Sequence, residues 1–125
     1  MANPIGMPIW YELLTSDVEG AKRFYGDIVG WTTTAFPSPD GGMDYTILNV
    51  GETGVGGLAG LPDGAPAGPG WFAYFHVADV DAKVAENEAA GGKTQMPATD
   101  LPGVGRIAMI ADPQGIVFYL MAPDP

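Results

Sequence analysis

Apolar and polar residues alternate along residues 7–14 and again along 71–77, and each run leads into a tripeptide centred on aspartate, Ser16-Asp17-Val18 and Ala78-Asp79-Val80. Alternation at period two predicts strands, because successive side chains leave the backbone on opposite sides. After the first tripeptide the spacing changes to three and four. Val18, Ala21, Tyr25, Ile28 and Val29 fall on one side of a helix that should pack on a sheet, with Lys22 and Arg23 turned outward and Gly30 ending it. Ser16 and Glu19 have the spacing of a capping box at its start. Shorter strands are predicted over 31–36, 44–50 and 54–58, separated by glycine-bearing turns.

The second half repeats the order. A strand over 71–77 precedes a helix over about 80–90, capped by Asp79 and closed by Gly91, then strands over 93–96, 106–110 and 116–121. Asp112-Pro113-Gln114-Gly115 predicts a tight hairpin, since proline presets one central dihedral and glycine accepts positive φ. Asp17 and Asp79 stand sixty-two positions apart, as do Gly30 and Gly92, while Gly54 and Gly115 are sixty-one apart. A period this long, present twice, is no solenoid. It predicts an α+β fold of two βαβββ modules, 1–61 and 71–125, joined by a Gly/Pro-rich linker over 62–70 into one domain of 125 residues, with any ligand bound between them.

Composition narrows the function classes. Fifteen acidic and five basic residues give a formal charge of −10, which repels nucleic acid and anionic lipid over a Debye length of about 10 Å. Neither is an expected partner. The same acidity suits a cationic ligand or simply a solvated surface. Without cysteine there is no disulfide, thiolate metal site or thiol nucleophile. No apolar run reaches the ~20 residues of a bilayer span, and residues 1–8 carry no secretory pattern, so a soluble cytoplasmic protein is expected.

Strand alternation also sorts the candidate chemistry. Ile9, Tyr11 and Leu13 form one face of the first strand, and Trp71, Ala73, Phe75 and Val77 the matching face in the second module; both should meet the helices. The opposite faces carry Trp10, Glu12 and Leu14, and Phe72, Tyr74 and His76, with Val117, Tyr119 and Met121 added from the closing strand. Aromatic area with a few polar groups is the makeup of a small-molecule pocket.

Glu12, a carboxylate on an apolar strand, is a general base, a ligand anchor, or the partner of a buried donor. His76 is an acid or base near neutral pH, or is tied to a loop. Arg106 meets an anionic ligand group or pairs with a surplus carboxylate. Tyr74 and Tyr119 offer hydroxyls to a ligand or fill space, and Met7, Met43, Met96 and Met109 fill gaps. Residues 54–59 satisfy a G-x-G-x-x-A string, but no helix follows, so glycine there serves close approach rather than dinucleotide binding.

Trp10-Tyr11-Glu12-Leu13, Phe24-Tyr25, Gly30-Trp31, Trp71, Gly105-Arg106 and Asp112-Pro113-Gln114-Gly115 occur in an order that resembles the vicinal-oxygen-chelate superfamily of glyoxalase I, bleomycin-resistance proteins and extradiol dioxygenases. The resemblance implies paired modules whose curved, mixed sheets surround a cavity, commonly in a homodimer. It also implies divalent-metal ligands on the first and last strand of each module, usually His, Glu or Gln. Those positions fall here on Trp10 and Phe72, and on Gly57 or Leu58 and Tyr119, none a good ligand at neutral pH.

The expectation is therefore a binding protein without metal or other cofactor, resembling the bleomycin-resistance proteins, that stacks a planar or aromatic organic molecule on Trp10 and Phe72 with Glu12, Tyr74, His76, Arg106, Tyr119 and Met121 as further contacts. The alternative is an enzyme in the manner of the superfamily's lyases, isomerases or dioxygenases, with a metal displaced toward Glu12 and His76. A third possibility is a metal-free acid/base catalyst that uses Glu12 with Tyr74 or His76.

Overall fold

In a computed structural model, which describes residues 3–36, 45–61, 63–65 and 67–124, the chain is α+β, with eight strands and two helices. The elements are β1 (Pro8–Thr15), α1 (Val18–Ile28), β2 (Thr32–Phe36), β3 (Tyr45–Val50), β4 (Thr53–Gly60), β5 (Gly70–His76), α2 (Val80–Ala89), β6 (Lys93–Leu101), β7 (Gly105–Ala111) and β8 (Val117–Pro123). Each half is βαβββ, as the period predicts. The expected turn over 37–42, Met43 and the expected strand start at Asp44 lie outside the described residues. Neither described helix is long and apolar enough to cross a membrane.

The chain divides into a first unit, Trp10–Trp71, and a second unit, Phe72–Pro125 together with Met1–Ile9. These units divide between Ile9 and Trp10 and between Trp71 and Phe72, whereas the sequence pattern predicts modules over 1–61 and 71–125. The amino-terminal segment reaches β5 by hydrogen bonds, with the Gly6 amide donating to the His76 carbonyl at 2.7 Å and the His76 amide to the Met7 carbonyl at 2.9 Å. Trp71, expected against the second helix, instead packs edge-on to Tyr25 and Trp31 at 5.4 and 5.6 Å, and its indole N–H donates to the Tyr25 hydroxyl. Two aromatic rings of the first unit thus hold it.

In the first unit the strand order is β2-β3-β4-β1, with β1 parallel to β4 and the other pairs antiparallel. In the second it is β5-β8-β7-β6, with β5 parallel to β8. The first core is Leu13, Leu48 and Leu58, packed against Val18, Ala21, Tyr25 and Trp31. Ile28 and Val29, expected on that helix face, are exposed, as is Tyr11; α1 meets the core through Val18, Ala21 and Tyr25. Val77, Val80, Ala108, Ile110 and Leu120 form the second core, with Val84 and Phe118 against it. Of the methionines, Met109 fills core space, whereas Met7 and Met96 are exposed.

The helix caps follow the aspartates. Asp17, rather than Ser16, accepts from the Gly20 amide at 2.9 Å, and Asp79 accepts from the Ala82 amide at 3.0 Å. Glu19 does not reach back to complete a capping box; it pairs with Lys22 at 3.1 Å. Gly30 and Gly91 end the helices at positive φ, +87° and +102°. β6 runs five residues past its predicted end at Met96 because Pro97 does not break it. Two register shifts bracket that proline on the outermost strand of the second unit's order, where a missing amide donor costs little. The hairpin at Asp112 forms as predicted: the Gly115 amide donates to the Asp112 carbonyl, and the Asp112 carboxylate accepts from the amides of Gln114 and Ile116.

Candidate functional site

Trp10 and Glu12 leave β1 on one face while Leu13 leaves it on the other, into the core. In the parallel register of β1 and β4, Glu12 stands beside Gly57 and Leu13 beside Leu58. Leu58 is 1% exposed and belongs to the core, so of the two closing-strand positions left open by the resemblance it is Gly57 that shares the Glu12 face. Residue 45 begins β3, which runs antiparallel to β4, and its phenol lies over Gly57.

Glu12 is 6% exposed. Its Oε1 accepts a hydrogen bond from the Tyr45 hydroxyl at 3.1 Å, and that hydroxyl oxygen accepts from the Trp10 indole N–H at 2.9 Å. Donation therefore runs in one direction, from indole to phenol to carboxylate, and a buried acceptor is matched by a donor. Tyr45 is the site residue that sequence reasoning missed. Its signal was the glycine run 54–57, since a strand that gives up side chains at Gly56 and Gly57 leaves room for a neighbour's ring.

The second unit arranges its face differently. Tyr74 and Tyr119, partners in the parallel register of β5 and β8, stack at 4.1 Å with parallel ring planes, and both are buried. Phe72 meets Tyr119 edge-on at 6.5 Å. Met121 stands beside His76 in the same ladder. His76 is half-buried, and its Nδ1 lies 3.3 Å from the Pro4 carbonyl; a carbonyl only accepts, so that nitrogen carries the proton. The loop tie is thus the arrangement that the structure shows for His76.

Arg106 is committed elsewhere. Its guanidinium holds both carboxylate oxygens of Asp81 at 2.7 and 2.9 Å and one of Asp100 at 2.9 Å, so the ion-pair alternative describes it and the anion-anchor one finds no support. Hydrogen bonding to Arg106 holds the Asp81 carboxyl below the usual range, and the two carboxylates push the guanidinium further up, Asp81 first. The G-x-G-x-x-A string lies within β4, a strand, so it opens no helix.

A divalent cation does not fit these residues. Indole, phenyl and glycine supply no σ-donor at Trp10, Phe72 and Gly57, and the Tyr119 phenol is stacked within a ring pair. Among the described residues no three of His, Cys, Asp and Glu come together as a metal site would require. No side chain at position 57 could supply a ligand either, because a Cβ built on Gly57 would overlap the Tyr45 hydroxyl and its ring.

Comparison with known proteins identifies the family. The chain is 40% identical over its whole length to CFP32 of Mycobacterium tuberculosis (strain CDC 1551 / Oshkosh), whose name groups it with glyoxylases, and matches 47% of that protein. It is 35% identical, over 90% of its length, to 46% of the anthracycline biosynthesis protein DnrV of Streptomyces peucetius. The chain thus spans about half the length of these relatives. Among solved structures, methylmalonyl-CoA epimerase from Mycobacterium tuberculosis shares the fold at a TM-score of 0.67 and 21% identity, over 100% of this chain and 93% of that one. Residues 8–120 match the family described as Glyoxalase/Bleomycin resistance protein/Dioxygenase superfamily, and the chain belongs to that superfamily.

Proposed function

We propose that the protein binds a small planar or aromatic organic molecule and does so without a divalent metal. The observation that carries this reading is the chemistry of the four positions at which metal-using members of the superfamily are expected to hold their ion: Trp10, Gly57, Phe72 and Tyr119. Aromatic rings add about 0.5–1.5 kcal/mol per well-placed ring contact beyond area burial, so Trp10 in the first unit and Phe72 in the second each offer a surface that favours a flat ligand. Glu12, held by Tyr45, supplies a fixed polar group for orientation, and the charge of −10 favours a cationic ligand. The name of DnrV supports the same ligand class, because anthracyclines are fused-ring planar molecules.

Thermal-shift and tryptophan-fluorescence titrations with an amine-bearing anthracycline, set against an aliphatic amine of equal charge, test the proposal. The aromatic compound should raise Tm in a dose-dependent way and quench emission. Equal stabilisation by the aliphatic amine would refute stacking as the basis of binding.

A second reading is favoured by the burial of Glu12 and by the name of CFP32: acid/base chemistry at the Glu12 carboxylate without a metal. It requires turnover that survives EDTA and disappears in Glu12→Gln. We further propose a homodimer, because Tyr11, Phe24, Ile28 and Val29 leave apolar surface exposed on the first unit. Light scattering should give twice the 13.0 kDa chain mass. A single-chain mass at every concentration would remove the dimer.

A further inference from the structure

We infer that Tyr45 takes the place of a metal ion in the first unit: its hydroxyl, rather than a cation, links Trp10 and Glu12 and occupies the space a side chain at Gly57 would need. A side chain at position 57 and the phenol of Tyr45 exclude each other. A Cβ on Gly57 would meet Oη first, then Cζ and Cε2 of the ring, and the ring has few directions in which to yield because its oxygen is held from two sides. Position 57 is also the closing-strand position on the Glu12 face, since Leu58 points into the core. A side chain at position 57 and a phenol at position 45 therefore cannot share this space.

The roles correspond chemically. A cation in this space would attract the Glu12 carboxylate by charge. Tyr45 does so by donating a proton in a hydrogen bond, and it adds an acceptor that suits the indole N–H of Trp10, a group no cation would tolerate at close range. Trp10 is thus matched to the phenol as well as unsuited to a metal.

This inference shares the metal-free state with the proposed function but stands on the first unit alone, and its test uses no organic ligand. The test is a cycle of Gly57→Ala, Tyr45→Ala and the double variant, read by thermal unfolding. Overpacking by the added methyl should lower Tm by roughly 5–10 °C in the presence of Tyr45 and by far less in its absence. Penalties that merely add would overturn the inference. Should Tyr45→Ala fail to fold, Tyr45→Phe removes the oxygen nearest the added Cβ and should relieve part of the Gly57→Ala penalty, and no relief counts against it equally.

Calorimetric titration of the wild-type protein with Ni²⁺ and with Mn²⁺ supplies the second readout. No saturable binding is expected up to millimolar metal, and stoichiometric binding would overturn the inference. The outcome of the aromatic-ligand titrations changes neither result; stoichiometric metal would overturn both metal-free readings, whereas penalties that merely add in the Gly57/Tyr45 cycle would overturn this inference alone.

Discussion

At the sixty-two-residue shift, Trp10 corresponds to Phe72, Glu12 to Tyr74 and Gly57 to Tyr119, so the two units offer three matched positions on one strand face and fill them differently. In the second unit a phenol comes from β8 itself and stacks on its parallel neighbour, Tyr74 on Tyr119. In the first, the equivalent strand carries glycine, and the phenol arrives from the adjacent strand as Tyr45. The volume of one phenol is supplied in both, and in the first unit its hydroxyl donates to the Glu12 carboxylate. A duplicated scaffold in this way places its phenols differently, from a neighbouring strand beside a carboxylate in one unit and in a stacked ring pair in the other. The two should respond differently to the same kind of damage.

The largest expected effect lies in the ring-built face. Tyr119→Ala removes a buried ring from both Tyr74 and Phe72 and should destabilise the protein by about 3–5 kcal/mol in urea unfolding, the usual cost of deleting a large core side chain. A loss below about 1 kcal/mol would mean that the stack contributes little, and the contrast between the units would vanish. On the hydrogen-bonded face the damage should depend on chemistry more than on volume. Glu12→Leu leaves the Tyr45 hydroxyl without this acceptor and should cost about 1–3 kcal/mol, whereas Glu12→Gln keeps an acceptor oxygen and should cost less. Equal costs for the two substitutions would show that the carboxyl group serves there only to fill space.

The smallest effect concerns the exposed ion pair of the second unit. The Asp81 carboxyl is held below its ordinary value of about 3.9, so its contribution is present above that pH and is lost as pH falls through the lower folded value. Wild type and Arg106→Gln should differ slightly in Tm at pH 7, and the difference should shrink below about pH 4 and in high salt. A difference unchanged at pH 2 would assign it to the packing of the arginine stem.

Periodicity made the order of elements legible, because burial of one face imposes a repeat of two on a strand and of three to four on a helix. It was less informative where a residue is held by something distant in the chain. Ile28 and Val29 have the right spacing for a buried face, yet they are exposed, and α1 meets the core through Val18, Ala21 and Tyr25. Pro97 reads as a strand end, and register shifts on an outer strand absorb it. Trp10 and Glu12 were readable as neighbours because they lie two apart on one strand. Tyr45 was not, since its meaning comes from glycines a dozen residues away in a different strand, and a space left by an absent side chain has no periodic signature.

β1 begins among residues that cluster with the second unit and ends among those of the first, the division falling between Ile9 and Trp10. A cut at the linker or at the repeat boundary therefore separates the amino-terminal segment from the residues it clusters with. A fragment starting at Phe72 would expose the edge of β5, where the His76 amide now donates to Met7 and its carbonyl accepts from Gly6, and would release the imidazole from Pro4. An unsatisfied strand edge is a template for self-association. Recombinant halves of this chain should accordingly be designed by grafting the amino-terminal segment onto the second half, and a gene fusion or transposition that separated the two would have had to carry that segment with it.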